Sequence, residues 1–193
     1  MVNVLIAYAS DYGSTRKMAE AIAQGVVEEG GQPVLRLAEE ASAEDLLASD
    51  AILLGTPVHM GSPDWRLKKL IDSVFSRLWM KDALVGRVGG VFATGGGFGG
   101  GGGGAEIAVL ALLNNLAEMG MVLVPLPKNT PGYAQGGLQW GPYARTHDAA
   151  GVPAGVDEGQ LEAARYHGRN VARVAQLLKE QRVFAHEPIE RIA

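Results

Sequence analysis

The fold of this chain is decided by the stretch Val2-Asn3-Val4-Leu5-Ile6-Ala7-Tyr8-Ala9-Ser10-Asp11-Tyr12-Gly13-Ser14-Thr15. It begins as a nearly continuous apolar run, typical of a strand that helices cover on both faces, and then changes to hydroxyl-bearing and glycine residues. The apolar stripe at every fourth position from 18 to 26 predicts an amphipathic helix directly after this loop. Because N–H groups and the positive dipole end point out of a helix N-terminus, the loop is a candidate anion site, with the hydroxyls of Ser10, Ser14 and Thr15 as further donors. The alternative is an ordinary turn with Ser14 as the N-cap.

The overall composition restricts the classes of protein to consider. The 193 residues, 47% of them hydrophobic and 20% charged, are enough for one well-packed domain over 1–193, with a tail at 182–193 that we expect to be extended or flexible. The net charge of −4, without a cluster of lysine and arginine, argues against nucleic-acid binding. The absence of cysteine excludes disulfides and thiolate ligands, and the adjacent His147 and Asp148 are too few to predict a metal site. Without a leader pattern or a long apolar run, we expect a cytoplasmic protein with no membrane insertion.

Further strand patterns follow at 33–37, 50–55 and 121–125, a surface segment followed by a fourth strand lies within 78–94, and helical patterns lie between the strands and at 157–180. This alternation predicts an α/β fold with a parallel sheet covered by helices on both faces, because each crossover must be right-handed. Ser42 is the predicted cap of a small second helix, and 105–119 predicts a longer one. Ligands bind such sheets beyond the carboxyl ends of the strands, so the loops after the first, third and fourth strands form the candidate site.

Two of these loops follow the third and fourth strands. The segment Thr56-Pro57-Val58-His59-Met60-Gly61-Ser62 predicts a loop, with Ser62 and Pro63 opening the next helix, and a plain strand-to-helix connection is the alternative. The glycine run at 95–104, interrupted by Phe98, lets the backbone approach a planar ligand. Its match to the dinucleotide fingerprint is weak, because the run follows the fourth strand and no acidic residue lies about 20 positions on. The chain also lacks the Gly-Lys-Ser/Thr triplet of a P-loop, which argues against ATP or GTP hydrolysis.

The residues of these loops resemble a known superfamily. Ser10-Asp11-Tyr12-Gly13-Ser14-Thr15 is similar to the FMN-phosphate loop of flavodoxin-like proteins, and Gly55-Thr56-Pro57 is similar to their second flavin-contacting loop. Over 2–179 the chain resembles WrbA-type NAD(P)H:quinone oxidoreductases, the tetrameric branch of that superfamily. Five further stretches carry this resemblance in the same order: Leu78-Trp79 with Ala83-Leu84-Val85-Gly86, Phe92-Ala93-Thr94-Gly95, Gly120-Met121-Val122-Leu123-Val124-Pro125, Gly141-Pro142-Tyr143, and Ala164-Arg165-Tyr166.

The resemblance implies a flavodoxin-like three-layer sandwich, with a five-stranded parallel sheet in the order 2-1-3-4-5 and bound FMN. Trp79 is implied to border a pocket in which NAD(P)H and quinone alternate. No side chain is implied as an essential acid or base, although His59, where the family typically has Arg, is a candidate positive group near the flavin. We expect the carboxylate of Asp11 to face solvent, because it would repel a phosphate. The implied cofactor-binding residues are Ser10, Tyr12, Gly13, Ser14, Thr15, Thr56, Pro57, Val58, His59, Met60, Gly61, Thr94, Gly95, Gly96, Gly97, Phe98 and Gly99.

The implied function is FMN-dependent two-electron reduction of quinones by NAD(P)H, a ping-pong hydride transfer through flavin N5 without a metal. Met119, where the family typically has His, and the long glycine run affect the substrate assignment more than cofactor binding. A one-electron flavodoxin-type carrier and a non-catalytic regulatory or interaction flavoprotein are the alternatives. The resemblance also implies a homodimer that pairs into a homotetramer. We expect Trp79 and the segment 132–148, with Tyr133, Trp140 and Tyr143, to cover each flavin pocket from a neighbouring chain.

Overall fold

The structure, a computed structural model, describes residues 1–98, 102–181 and 183–184. The expectations for Gly99 and for most of the tail at 182–193 lie outside these residues. The chain alternates strands and helices, and its first half consists of β1 (Asn3–Tyr8), α1 (Ser14–Glu28), β2 (Gln32–Leu37), α2 (Ala43–Leu47), β3 (Ala51–His59) and β4 (Ser62–Pro63). Its second half consists of α3 (Trp65–Leu70), a π-helical segment (Ile71–Phe75), α4 (Ser76–Trp79), β5 (Val88–Gly95), α5 (Ala105–Glu118), β6 (Val122–Leu123), α6 (Tyr133–Gly136), β7 (Gly137–Leu138), β8 (Gly141–Arg145) and α7 (Glu158–Leu178).

Helix caps fix where two of these helices begin. The predicted cap of α2 is confirmed, because the Ser42 hydroxyl accepts from the Asp45 N–H at 3.2 Å and the Asp45 carboxylate accepts from the Ser42 N–H at 3.0 Å. Asp157 and Gln160 form the same reciprocal pair at the start of α7. Each cap satisfies N–H groups that the helix itself leaves unpaired, which stabilises the helix by about 1 kcal/mol.

The sheet is mostly parallel, as predicted, but it contains eight strands instead of five. Its main path runs β2-β1-β3-β5-β8-β7, so the first four positions have the predicted order. The fifth position is divided, because β6 pairs with the start of β5 and β8 pairs with its end. Pro125 and Pro127 have no N–H to continue a ladder, and the predicted strand at 121–125 accordingly ends after Leu123. The long connection that follows supplies β8 instead of remaining a surface loop.

Two apolar layers form because side chains of a strand point alternately to opposite faces of the sheet. Along β1, Leu5 and Ala7 pack with α2 to α5, whereas Val4 and Ile6 pack with α1 and α7. Helices therefore cover both faces of the sheet, which confirms the expected layer arrangement. Within the described ranges, no helix combines the length and the apolar character needed to cross a bilayer.

The helices α1 and α7 approach each other closely because glycines lie at their contact. A Cβ on Gly25 would lie 1.8 Å from the carbonyl oxygen of Arg165, and a Cβ on Gly168 would lie 2.1 Å from that of Ile22. Ion pairs border the contact, since Arg169 and Arg173 reach the carboxylate of Glu29 at 2.8 and 2.9 Å. This packing holds the N-terminus of α1 at the carboxyl edge of the sheet.

Candidate functional site

The loop after β1 leads directly into the N-terminus of α1. Gly13 is the N-cap, with a φ of 85° that L residues rarely adopt, and a Cβ there would meet no atom within 4 Å. Ser14 is the first residue of the helix, so the alternative in which Ser14 caps α1 is wrong. Ser10 turns back over the helix start, where its hydroxyl accepts from the Arg16 N–H at 3.4 Å. The N-terminus of α1 therefore faces an open space beside Gly13, and backbone N–H groups of the first helical turn point towards that space.

A buried hydroxyl pair connects this loop with the end of β5. The Oγ1 atoms of Thr15 and Thr94 are 2.8 Å apart, and both residues are 2% exposed. One hydroxyl donates to the other, which leaves one proton of the pair to donate elsewhere. The structure thus brings together two residues that the sequence assigned to separate loops.

The segment after the third predicted strand forms a β-hairpin, so the predicted loop at 56–62 is wrong. β3 continues to His59, because its residues 55–57 pair with β5 and its last two residues pair with β4. Met60 and Gly61 form the two-residue turn with φ values of 50° and 74°, as a hairpin turn with the twist of its strands requires. The prediction that Ser62 and Pro63 open the helix is also wrong, because Asp64 is the N-cap of α3.

Thr56 of this strand has its hydroxyl engaged inside the protein. It donates to the carbonyl oxygen of Pro57 at 2.7 Å and accepts from the Asp64 N–H at 2.8 Å, and Thr56 is fully buried. This hydroxyl shapes the hairpin and is not directed at solvent. Val58 packs against the core, and its Cβ lies 3.2 Å from where a Cβ of Gly95 would be.

The glycine-rich loop after β5 lies against the hairpin. A Cβ on Gly104 would lie 2.5 Å from the Cα of Gly61, and a Cβ on Gly103 would lie 3.2 Å from the Cα of Gly97. Gly103 and Gly104 have φ values of 63° and 89°, so glycine is needed there for both space and conformation. Gly96 faces the imidazole ring of His147, whose Nδ1 lies 3.0 Å from a Cβ placed on Gly96.

A charged cluster joins the loop after β1 to the hairpin and to the start of α3. Arg66 donates to Asp64 at 2.7 Å and to Asp11 at 2.8 Å, and the Nε2 of His59 lies 3.2 Å from Asp11 and 3.7 Å from Asp64. Asp11 therefore does not simply face solvent, and His59 is not an isolated loop histidine. Arg66 is not among the site residues predicted from the sequence, although the Asp64-x-Arg66 spacing at a helix start suits a carboxylate that caps the helix and binds the arginine.

The electrostatics of this cluster favour an ionised Asp64 carboxylate and a charged Arg66 guanidinium. Burial of Asp64, which is 1% exposed, raises its pKa, but the hydrogen bonds from Arg66 outweigh burial and hold the pKa below its usual value. The hydrogen bond to Asp64 raises the pKa of Arg66. Asp11, His59 and Asp64 lie close enough to share a cation, with ligand atoms within 4.8 Å of one another. Arg66 already occupies both Asp64 oxygens, which leaves little for a metal ion.

Large apolar side chains project into solvent beside these loops. Tyr12 is 98% exposed, Met60 fully exposed and Phe98 83% exposed, and each belongs to a different loop of the candidate site. Trp65, at the start of α3, is also largely exposed. Apolar groups exposed together around one site are typical of a surface that binds a ligand or a partner. A groove of about 720 Å³, lined in part by Asp50, Arg87 and Lys179, lies at the opposite edge of the sheet and is separate from these loops.

Trp79 lies far from these loops within one chain. It ends the helix that begins beside Asp64, and at about 1.5 Å per residue the segment from Trp65 to Trp79 places it about 20 Å from that start. Its side chain is 46% exposed, so a neighbouring molecule can reach it. Met119 is buried in the core at the end of α5. Tyr143 is buried within its own chain, which contradicts the expectation that it contributes to an interface.

The doubly covered sheet and the loops at its carboxyl edge define a flavodoxin-like protein, and residues 5–94 match the flavodoxin domain family. The chain belongs to the family of proteins named NAD(P)H dehydrogenase (quinone). It is 32% identical to the protein of that name from Paracoccus denitrificans, over 92% of this chain and 96% of that protein. It is 33% identical to the one from Gluconacetobacter diazotrophicus, over 91% of this chain and 98% of that protein. The resemblance found in the sequence is thereby confirmed.

Solved structures agree with this assignment. The flavodoxin, WrbA-like protein from Agrobacterium tumefaciens is 28% identical and superposes with a TM-score of 0.68, covering 92% of this chain and 99% of that one. A flavodoxin from the domain Archaea, 17% identical, has a TM-score of 0.66 over 90% of this chain and 99% of its own, which shows the shared fold alone.

Proposed function

We propose that this chain binds FMN and catalyses the two-electron reduction of quinones by NAD(P)H. One observation carries the proposal: the loop after β1, the β3–β4 hairpin and the glycine-rich loop contact one another at the carboxyl edge of the sheet. A site for one ligand with a phosphate and a planar ring needs such a convergence. The relatives named NAD(P)H dehydrogenase (quinone) support the reaction class.

The residues around the start of α1 suit a phosphate. The open space at Gly13 and the helix dipole favour an anion, and the spare hydroxyl proton of the Thr15–Thr94 pair is a further donor. The repulsion expected from Asp11 is offset, because Arg66 binds that carboxylate and holds it to the side of α3. Ser10 and Ser14 stay predicted phosphate contacts on the same grounds.

The residues of the other two loops suit a planar ring. Glycines at 95–97 add no side chain of their own over the backbone, and the exposed side chains of Tyr12, Met60 and Phe98 offer flat or flexible apolar surfaces. When bound, FMN supplies the hydride chemistry at N5. The chain's part is to hold and orient the ring, to leave one face open to NAD(P)H and then to quinone, and to exclude competing reactions. We expect both substrates to use that face in turn, which gives ping-pong kinetics.

The phosphate assignment is tested by the substitution Gly13→Val. Gly13 has a φ of 85°, which valine disfavours, so the loop must shift in the variant. The affinity for FMN should therefore fall at least tenfold. The affinity for riboflavin, which lacks the phosphate, should stay within about twofold. Gly30→Val is the matched control, because Gly30 also has a positive φ of 74° and open space but lies at the other end of α1. Equal losses for FMN and riboflavin would place the phosphate elsewhere.

The reaction class is tested by rapid mixing of the FMN-loaded protein with NADH or NADPH. We expect two-electron bleaching of the flavin absorbance and its recovery on addition of benzoquinone. Negligible oxidation of NAD(P)H together with transfer of single electrons to a partner would favour the flavodoxin-type carrier. Failure to bind FMN at saturating concentration would contradict the proposal as a whole.

We further propose that a second copy of the chain completes the substrate pocket. Trp79 is half-exposed and too distant to reach the loops of its own chain, whereas Tyr133 and Trp140 remain partly exposed. A homodimer that pairs into a homotetramer would bring these aromatic residues over the flavin of a neighbour. The single domain and the cytoplasmic location stay predictions alongside this assembly.

A further inference from the structure

We propose that Tyr143 is a positioning residue, which holds Gly95 and Gly102, at the two described ends of the glycine-rich loop, in the places that receive the flavin ring. This inference rests on the proposed function and assigns a role within the same site. Its basis is that a single phenol oxygen contacts both ends of the loop.

The contacts of Tyr143 lie where the loop leaves β5 and where it turns towards α5. Its Oη lies 3.3 Å from the carbonyl oxygen of Gly95 and 3.0 Å from that of Gly102. Carbonyl oxygens only accept hydrogen bonds, so the phenol must be the donor, and its one proton is shared between them or directed at the nearer one. The N–H of Thr146, three residues on, donates to the same Gly95 oxygen at 2.9 Å.

A loop rich in glycine needs contacts with other parts of the chain to hold one conformation. Glycine loses more conformational freedom on ordering than any other residue, at a backbone cost of about 1–2 kcal/mol per residue, and it has no side chain that packs. The glycines at 95–97 and 102–104 therefore depend on other parts of the chain, as well as on the contact of Gly103 with Gly97, to hold one conformation. Tyr143 ties the two groups together, and the turn of the hairpin supports Gly104.

Tyr143 is itself held in place by its surroundings, as a residue that positions a loop must be. It lies on β8 in register with Ala93 of β5, its ring packs in the core, and it is 8% exposed. Burial raises the pKa of the Tyr143 hydroxyl, so the group keeps its proton and remains a donor at alkaline pH.

The test substitution is Tyr143→Phe, which keeps the packed ring and removes only the donor. Losing a neutral hydrogen bond should weaken FMN binding about 3- to 10-fold. Because the loop is assigned to the ring, riboflavin affinity should fall by the same factor, in contrast to Gly13→Val. In the flavin-free protein, hydrogen exchange at the amides of 96–98 and 102–104 should become faster, with little change in exchange across the sheet.

Tyr166→Phe is the matched control, because its partly buried ring lies on α7 against Arg165 and Arg169, and neither affinity nor loop exchange should change. Flavin affinities of Tyr143→Phe within about twofold of the original chain, or unchanged loop exchange, would overturn the inference. If Tyr143→Phe does not fold, Gly95→Ala replaces it, since the added Cβ lies 3.1 Å from the Tyr143 oxygen and should raise loop exchange by displacing it. If the chain binds no FMN, the proposed function is refuted. The role of Tyr143 is tested separately, because loop exchange is measured in the flavin-free protein.

Discussion

His167 should make the fold sensitive to mild acid. Its imidazole lies on α7 against β5, where a Cβ on Gly90 would be 3.1 Å from Nε2, and the residue is fully buried. In the described part of the chain, neither ring nitrogen has a hydrogen-bond partner. Burial lowers the pKa of His167 from 6.5 to about 4, because the charged imidazolium loses its hydration there.

The sign of the effect follows from proton binding. Between pH 6.5 and about 4 the unfolded chain binds a proton that the folded chain does not, so the free energy of unfolding falls as the pH falls through this window. Each pKa unit corresponds to about 1.4 kcal/mol, so the loss is about 2 kcal/mol at pH 5 and about 3 kcal/mol below the folded pKa. Stability at pH 7.5 is hardly affected.

The assay is urea unfolding of the FMN-free protein at pH 7.5 and pH 5.0, for the original chain and for His167→Leu. Carboxylates such as Asp64 and Glu29, whose pKa values are lowered, stay ionised at both pH values in the folded state. We expect the original chain to lose about 2 kcal/mol more than the variant between the two pH values. His147→Gln, which removes a half-buried imidazole, is the control and should behave like the original chain. An equal pH dependence in the original chain and in His167→Leu would refute the reasoning.

Three further predictions follow from the packing, the charges and the proposed assembly. Gly168→Ala should lower the free energy of unfolding by about 3 kcal/mol, because the added Cβ would lie 2.1 Å from the Ile22 carbonyl oxygen. Urea unfolding measures this loss, and an unchanged value would contradict the close contact of α1 and α7. Arg66→Met should cost about 3 kcal/mol in the same assay, because it removes the guanidinium that pairs with the buried Asp64 carboxylate, and adding Asp64→Asn should recover part of the loss. Trp79→Ala should slow quinone reduction without changing FMN affinity, and sedimentation should show a tetramer; an active monomer would exclude a role for Trp79 in a neighbour's pocket.

The patterns in the sequence determined the α/β class and the position of the site loops, and the family resemblance added the order of the first strands. The apolar run of β1 and the amphipathic stripe of α1 are local patterns, and their burial follows directly from side-chain periodicity. The caps of α2 and the glycine run are likewise local, because a capping residue or a bare backbone acts on its own neighbours. The loops could therefore be placed at one edge of the sheet before any contact was known.

Only the tertiary structure decided which side chains meet between these loops. The Thr15–Thr94 pair, the bonds of Arg66 to Asp11, and the bond of Tyr143 to Gly102 join residues far apart in sequence. The divided fifth strand and the β3–β4 hairpin were missed for the same reason, because strand pairing depends on a partner that local pattern does not identify. The burial of His167 depends in the same way on the contact of α7 with β5, since a helix pattern shows which face is inward but not which backbone it meets.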